Sequence, residues 1–299
     1  ALTSLGAQVT ATRGGGSPPF VVKGCLRGGE ATMEAVTSQY VTSVLINAPL
    51  ASGDTRLHVP FLNEKPYVVM TLDWIRRQGV RVECDEALHE FFIPGGQQYQ
   101  PVNRAIPADF SSATFFLAAG ALPGNEVTCI GLDMTDTQGD KAVVDYLGAM
   151  GAAVTVDEDR ITVSDKSLTG VEIDLNATPD ALPMMAALAC YAEGETRLVN
   201  APQARLKETD RIQVMRMELE KLGGRLTELS DGLVIRESPL HGGVVESHDD
   251  HRVVMALAIA ATRASGPVTI LGAEAIEVTY PGFISALEQL GARVVVEES

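Results

Sequence analysis

Five consecutive positions, Lys207-Glu208-Thr209-Asp210-Arg211, hold two cations, two carboxylates and a hydroxyl. They stand immediately ahead of Ile212, Val214, Met215, Met217 and Leu219, whose spacing predicts a helix. Thr209 or Asp210 is a suitable cap, and the free N–H groups of a first turn beside Lys207 and Arg211 would suit a phosphate or carboxylate. The plainer alternative is a solvated helix start with charge pairing one turn apart. Asp180 follows Thr178-Pro179 ahead of an apolar run, where a helix cap is the plain reading, although capping alone does not fully account for it. His248-Asp249-Asp250-His251 has metal-ligand residue types, but no third spaced ligand follows and Arg252 would repel a cation, so no metal is expected. Ser111 and Ser112 read as ordinary caps. Gly14-Gly15-Gly16-Ser17-Pro18-Pro19 lacks dinucleotide-binding or P-loop spacing and reads as a turn.

The elements that must position these groups recur. One phrase, an apolar helix ending in Gly and running into a short strand, returns at Gly6, Gly79, Gly151, Gly223 and Gly291, at spacings of 73, 72, 72 and 68 residues. A second phrase keeps the same beat: a helix, then a turn at Gly53, Gly124, Gly194 or Gly266, then the strands Thr55–Val59, Glu126–Ile130, Glu195–Val199 and Pro267–Leu271. The first long helix of each copy opens near Thr37, Phe110, Asp180 or His251. The second opens at Lys65-Pro66-Tyr67, Gln138 to Lys141, Lys207 to Arg211, or Thr279-Tyr280-Pro281. The expectation is α/β, with four repeats of strand, helix, strand, helix and extra strands, the helices burying against one another beneath outward-facing sheets. Like units place helix N-termini on a common side, where their dipoles favour an anionic ligand. Gly95 to Pro101, leading to Ile106-Pro107, is the expected linker.

Composition narrows the class. The 299 residues are 45% hydrophobic, with a formal charge of −16 and a mean hydropathy of +0.11. That is enough apolar material for about two domains. The acidic balance argues against a nucleic-acid or anionic-membrane partner, and no apolar run reaches the roughly 20 residues that span a bilayer. Ala1 to Thr10 carries no basic start or cleavage site, so no targeting peptide is expected. Cys25, Cys84, Cys129 and Cys190 stand singly in apolar runs and read as buried thiols of a reducing, cytoplasmic setting.

Several marks in order carry a resemblance: Ser17-Pro18-Pro19, Thr37-Ser38-Gln39 with Ala48-Pro49-Leu50, Lys65-Pro66-Tyr67, Asp109 through Leu117, Pro179-Asp180, Lys207 through Arg211, and Asp250-His251-Arg252. Over its whole length the chain resembles the 5-enolpyruvylshikimate-3-phosphate synthases, the 3-phosphoshikimate 1-carboxyvinyltransferases of aromatic amino acid synthesis. The resemblance implies the enolpyruvyl transferase fold, an inside-out α/β barrel of βαβαββ units with the active site between two domains. Four repeats are counted where the family has six, so the chain looks like a member lacking its N-terminal third, with residues 1–105 a partial first domain and 106–299 a nearly complete second. Shikimate 3-phosphate and phosphoenolpyruvate are the implied substrates, with no cofactor and with a complementing N-terminal segment as the implied partner.

By the same resemblance, Thr37, Ser38, Gln39, Tyr67 and Lys207 would contact shikimate 3-phosphate, and Gln203 would be a further substrate-binding residue. Asp180 would bind the hydroxyls and serve as base, and Glu208 would move a proton at the methylene carbon of phosphoenolpyruvate. Arg211 and Arg252 would grip its carboxylate, with His251 beside them. Adding a hydroxyl to an enol ether needs one group to take the hydroxyl proton and one to protonate carbon, and eliminating phosphate reverses the second step. The chain departs from the family at Glu64, which replaces a Ser ahead of Lys65-Pro66-Tyr67, at Ala181, where part of the family is acidic, and at Val278, where the family has a lysine. The related transferase acting on UDP-N-acetylglucosamine uses a loop cysteine, and no cysteine here lies in a comparable loop, Cys25 being the nearest approach. A non-catalytic or split enolpyruvyl-transferase-like protein, which binds ligand or needs a partner chain for turnover, is the rival from another class.

Overall fold

The glycine-punctuated phrases become alternating strands and helices in the computed structural model, which describes residues 1–13, 16 and 18–297. The chain divides into two compact units, Ala1–Ile106 with Thr137–Gly139, and Pro107–Asp136 with Asp140–Ser299. The first unit opens on an antiparallel hairpin, β1 (Gln8–Ala11) with β2 (Phe20–Lys23). Of the turn expected between them, Gly14, Gly15 and Ser17 lie outside the described residues.

The rest of that unit is β3 (Gly29–Ala35), α1 (Gln39–Asn47), β4 (Thr55–Leu62), α2 (Lys65–Arg77), β5 (Glu83–Cys84) and β6 (Glu90–Ile93). Its sheet runs β3-β4-β6-β5, with β3 and β4 parallel and the other pairs antiparallel. A parallel pair needs a crossover, which α1 supplies. Thr55, Leu57 and Val59 of β4 face inward while Arg56 and His58 face out, the alternation of a sheet with one wet face. Val41, Val44 and Leu45 of α1 share a core with Val68, Leu72 and Ile75 of α2.

The second unit begins with α3 (Phe110–Ala121), β7 (Glu126–Ile130), α4 (Val143–Ala149), β8 (Ala153–Val156) and β9 (Arg160–Ser164). Next come β10 (Glu172–Asp174), α5 (Leu182–Ala189), β11 (Glu195–Val199), α6 (Arg211–Lys221), β12 (Arg225–Glu228) and β13 (Leu233–Arg236). It ends with β14 (Gly243–Glu246), α7 (His251–Ala261), β15 (Val268–Leu271) and α8 (Phe283–Gln289). The sheets run β7-β9-β8, β10-β11-β13-β12 and β14-β15. All eight residues of α5 are buried, as are most of α3 and α7, because these helices are apolar nearly all round and pack on one another.

The strand set βαβαββ, in the same spatial order, is complete at residues 29–93 and 172–236. The stretch from α3 to β9 contributes three strands and the last stretch two. Gly291 is left-handed at φ 98°, as a helix-ending glycine should be, yet no strand follows it among the described residues. The glycine fixes only the turn, and a strand also needs an edge to pair with. The expectation of four buried thiols is corrected: Cys190 is buried, Cys84 and Cys129 are half-buried, and Cys25 is exposed. Burial pushes the Cys190 thiol up to about 12 and the Cys129 thiol up to about 11.

Candidate active site

Three helix starts of the second unit meet around one guanidinium. Asp180 lies in a 3-10 turn, Pro179–Ala181, that leads into α5. Arg211 is the first residue of α6, capped by Asp210, whose carboxylate accepts from Gln213 N at 3.0 Å. Asp250 caps α7 by accepting from Arg252 N at 2.8 Å, so His251 and Arg252 occupy the first turn of that helix. Capping thus determines which side chains face one another.

Arg211 is 1% exposed, and all three of its guanidinium nitrogens are engaged. Nε donates to Asp250 Oδ2 at 2.7 Å, Nη1 to Asp180 Oδ1 at 2.7 Å, and Nη2 to Glu208 Oε2 at 2.6 Å and Asp250 Oδ1 at 3.3 Å. A buried cation needs this saturation, since each unmatched donor would forfeit its hydration. Asp250 is fully buried, whereas the Glu208 side chain is 48% exposed and is the outermost of the three partners. Asp180 also faces Lys207 Nζ at 3.5 Å and Arg252 Nη2 at 3.4 Å. Lys207, Arg211 and Arg252 therefore stand against Asp180, Glu208 and Asp250, with Arg252 and Lys207 at the partly open side.

Burial pushes the Asp180 carboxyl upward, but Arg252, Arg211 and Lys207 together pull it well below the usual carboxylate range. Burial, with Arg252 next to it, lowers the His251 imidazole, and Asp250 only partly offsets this. His251 Nδ1 lies 4.0 Å from Asp250 Oδ1. Gln203 is 2% exposed; its Nε2 donates to Asn176 O at 3.0 Å and its Oε1 has no hydrogen-bond partner. Arg205 ties this segment down, donating to Asp210 Oδ2 at 2.7 Å and to the carbonyls of Leu229 and Ser230.

A second polar group stands in the first unit, at the starts of α1 and α2. Ser38 precedes α1 without capping it through its side chain. Thr37 Oγ1, Ser38 Oγ and Ser38 N all donate to Glu64 Oε2, at 3.0, 2.8 and 3.0 Å. Gln39 is exposed and Tyr67 half-buried in the first turns of α1 and α2.

Asp180, Lys207, Glu208, Arg211, His251 and Arg252, separated by up to 72 positions in the chain, are thus brought together, while Thr37, Ser38, Gln39 and Tyr67 belong to the other unit. Ser111 and Ser112 prove not to be caps: Asp109 caps α3, accepting from both of their N–H groups. Among the described residues no group of three or more His, Cys, Asp or Glu side chains is placed to hold a metal. Sequence reasoning named Asp250 only as part of a polar cluster and missed Glu218. Glu218 is fully buried and accepts from Lys221 Nζ, Glu246 N and His248 Nε2. Its signal was an acidic residue seven positions after Arg211, hence on the same inward helix face.

Comparison with known proteins fits this geometry. Residues 1–287 match the family described as EPSP synthase (3-phosphoshikimate 1-carboxyvinyltransferase). A 3-phosphoshikimate 1-carboxyvinyltransferase of Ruminiclostridium cellulolyticum is 52% identical over 294 residues, covering 98% of this chain and 69% of that protein. The enzyme of the same name from Acetivibrio thermocellus is 51% identical with the same coverage. Among solved structures, the EPSP synthase of Acinetobacter baumannii superposes with a TM-score of 0.82 at 29% identity, covering 98% of this chain and 70% of that one. With helix-start chemistry, α/β architecture and sequence in agreement, the chain belongs to the EPSP synthase family.

Proposed function

We propose that the chain acts as a 3-phosphoshikimate 1-carboxyvinyltransferase, moving the enolpyruvyl group of phosphoenolpyruvate to shikimate 3-phosphate in the shikimate pathway and releasing phosphate. The observation that carries this reading is the convergence of Lys207, Arg211 and Arg252 on Asp180, with Glu208 beside them, in a chain of this family. In the proposed assignment Thr37, Ser38, Gln39, Tyr67, Gln203 and Lys207 contact shikimate 3-phosphate, and Asp180 holds its reacting hydroxyl. Arg211, Arg252 and His251 receive phosphoenolpyruvate. Residues 1–105 form part of a first domain and 106–299 most of a second, four repeats of a barrel-like fold in a cytoplasmic enzyme. No described helix is long and apolar enough to cross a membrane.

The resting charge balance suggests how the site works. A carboxylate pulled as low as Asp180 is a feeble base. When Lys207 and Arg252 turn toward the anionic groups of the substrates, Asp180 loses two of its three compensating charges and regains proton affinity where the hydroxyl proton must go. Glu208, the most exposed partner of Arg211, gives up its bond to Nη2 to the incoming carboxylate, takes up a proton from solvent and delivers it to the methylene carbon. Phosphate elimination returns that proton to Glu208.

Between α1 and α2 lies a groove of about 390 Å³ lined by Ile46, Met70, Thr71, Trp74, Ile75, Gln78 and Tyr99. Its apolar character supports the further reading that an additional N-terminal segment completes the first domain. The test is phosphate release from phosphoenolpyruvate in the presence and absence of shikimate 3-phosphate. Release dependent on both substrates, cut about a hundredfold by Asp180→Asn, supports the assignment. Release that is indifferent to Asp180 would end it.

A further inference from the structure

The donors at the start of α1 are gathered on an anion that belongs to the chain itself. Glu64 Oε2 accepts from Thr37 Oγ1, Ser38 Oγ and Ser38 N together, and Glu64 is 2% exposed. It reaches this position from a left-handed backbone, φ 57° and ψ 40°, which a residue with a Cβ seldom adopts. The carboxylate does not cap α2, the helix that Glu64 precedes. It is directed instead to a different helix start, 26 positions back in the chain. Two hydroxyls and a helix-terminal N–H on one oxygen are the contacts that an anionic oxygen of a ligand would make.

We propose that Glu64 is a specificity-determining residue, an internal rival that must vacate Thr37 and Ser38 before the phosphate of the substrate can bind there. This rests on the assignment of Thr37 and Ser38 to shikimate 3-phosphate made above. The same donors cannot serve two anions, and a phosphate brought beside a seated carboxylate meets like-charge repulsion. Affinity for the phosphorylated substrate is therefore reduced by the fraction of molecules in which Glu64 is seated. Glu64, with Asn63, joins β4 to α2, so its side chain alone stands between the substrate and these donors.

Calorimetric titration of shikimate 3-phosphate into the whole chain, Glu64→Gln and Glu64→Ser, at one ionic strength, tests this. Glu64→Gln keeps the shape and removes the charge; Glu64→Ser removes both. Both variants are expected to bind shikimate 3-phosphate at least about tenfold more tightly, with binding of phosphoenolpyruvate alone unchanged. Equal or weaker binding of shikimate 3-phosphate by the folded variants overturns the proposal, as does an absence of binding by all three chains. If Glu64→Ser does not fold, Glu64→Gln alone decides. Thr37→Val and Ser38→Ala keep the two failures apart. If they leave the affinity for shikimate 3-phosphate unchanged, the underlying assignment has failed. If they weaken it while the Glu64 variants show no gain, only the rivalry has failed.

Discussion

Asp250→Ala removes the deepest partner of the site's central cation. The substitution deletes the bonds to Arg211 Nε at 2.7 Å and Nη2 at 3.3 Å, and the capping bond from Arg252 N at 2.8 Å. Breaking a buried pair from one side costs about 3–5 kcal/mol. Asp180 and Glu208 continue to hold Arg211, which puts the loss near the lower end, and the missing cap adds about 1 kcal/mol. The expected total is about 4 kcal/mol. At roughly 2–4 °C per kcal/mol for a unit of this size, the transition of the second unit falls by about 10 °C. Asp250→Asn keeps an acceptor for Arg252 N and should lose about half as much, the remainder being charge. Scanning calorimetry of the three proteins reads the unfolding of the second unit directly. The double variant Arg211→Met/Asp250→Leu should recover part of the loss, since no buried charge is left facing a vacated partner. A loss under about 1 kcal/mol for Asp250→Ala would show that Arg211 does not depend on this carboxylate and would refute the reasoning.

Glu218→Gln should loosen the turn at His248 and Asp249, whose φ angles of 52° and 58° are both left-handed, by weakening the His248 Nε2 contact of 2.8 Å. The expected reading is a stability loss of about 2 kcal/mol with a raised KM for phosphoenolpyruvate, because that turn delivers His251 and Arg252. An unchanged KM would confine Glu218 to stability. Acid should destabilise the second unit. Against the upward push of burial, cations hold Asp180 below the ordinary carboxylate range, hydrogen bonds from His248 and Lys221 do the same for Glu218, and those from Arg205 and Arg216 for Glu228. Their contribution is complete above about pH 4.5 and is lost as pH falls toward their folded-state values. Burial and Arg252 lower the His251 pKa, so its share begins to fade earlier, as pH drops below about 6.5. Thermal melts from pH 7 to 3 check the direction, and a transition that rises on acidification would contradict it. Gly232→Ala should cost more than about 2 kcal/mol, since an added Cβ would overlap the Leu198 carbonyl oxygen where β11 pairs with β13. A urea midpoint within error of the parent would refute that steric account.

Residue order determined a good deal by itself. The strands at Thr55, Glu126 and Glu195 begin where alternation and the preceding glycine place them, and α2, α3 and α7 open at Lys65, Phe110 and His251. These are local matters of period, capping and left-handed turns, which a few neighbouring residues decide. Asp109 could have been preferred to Ser111 as a cap on the same grounds. Tertiary structure alone decided the pairings. Lys207 to Arg211 looked like an open anion site, yet the fold buries Arg211 among three carboxylates, two of them 31 and 39 positions away. Likewise the hydroxyls of Thr37 and Ser38, plausible ligand donors in the sequence, are found on Glu64. Which charge compensates a buried charge depends on what burial removes from water at that point in space, and no window of neighbouring residues contains that information.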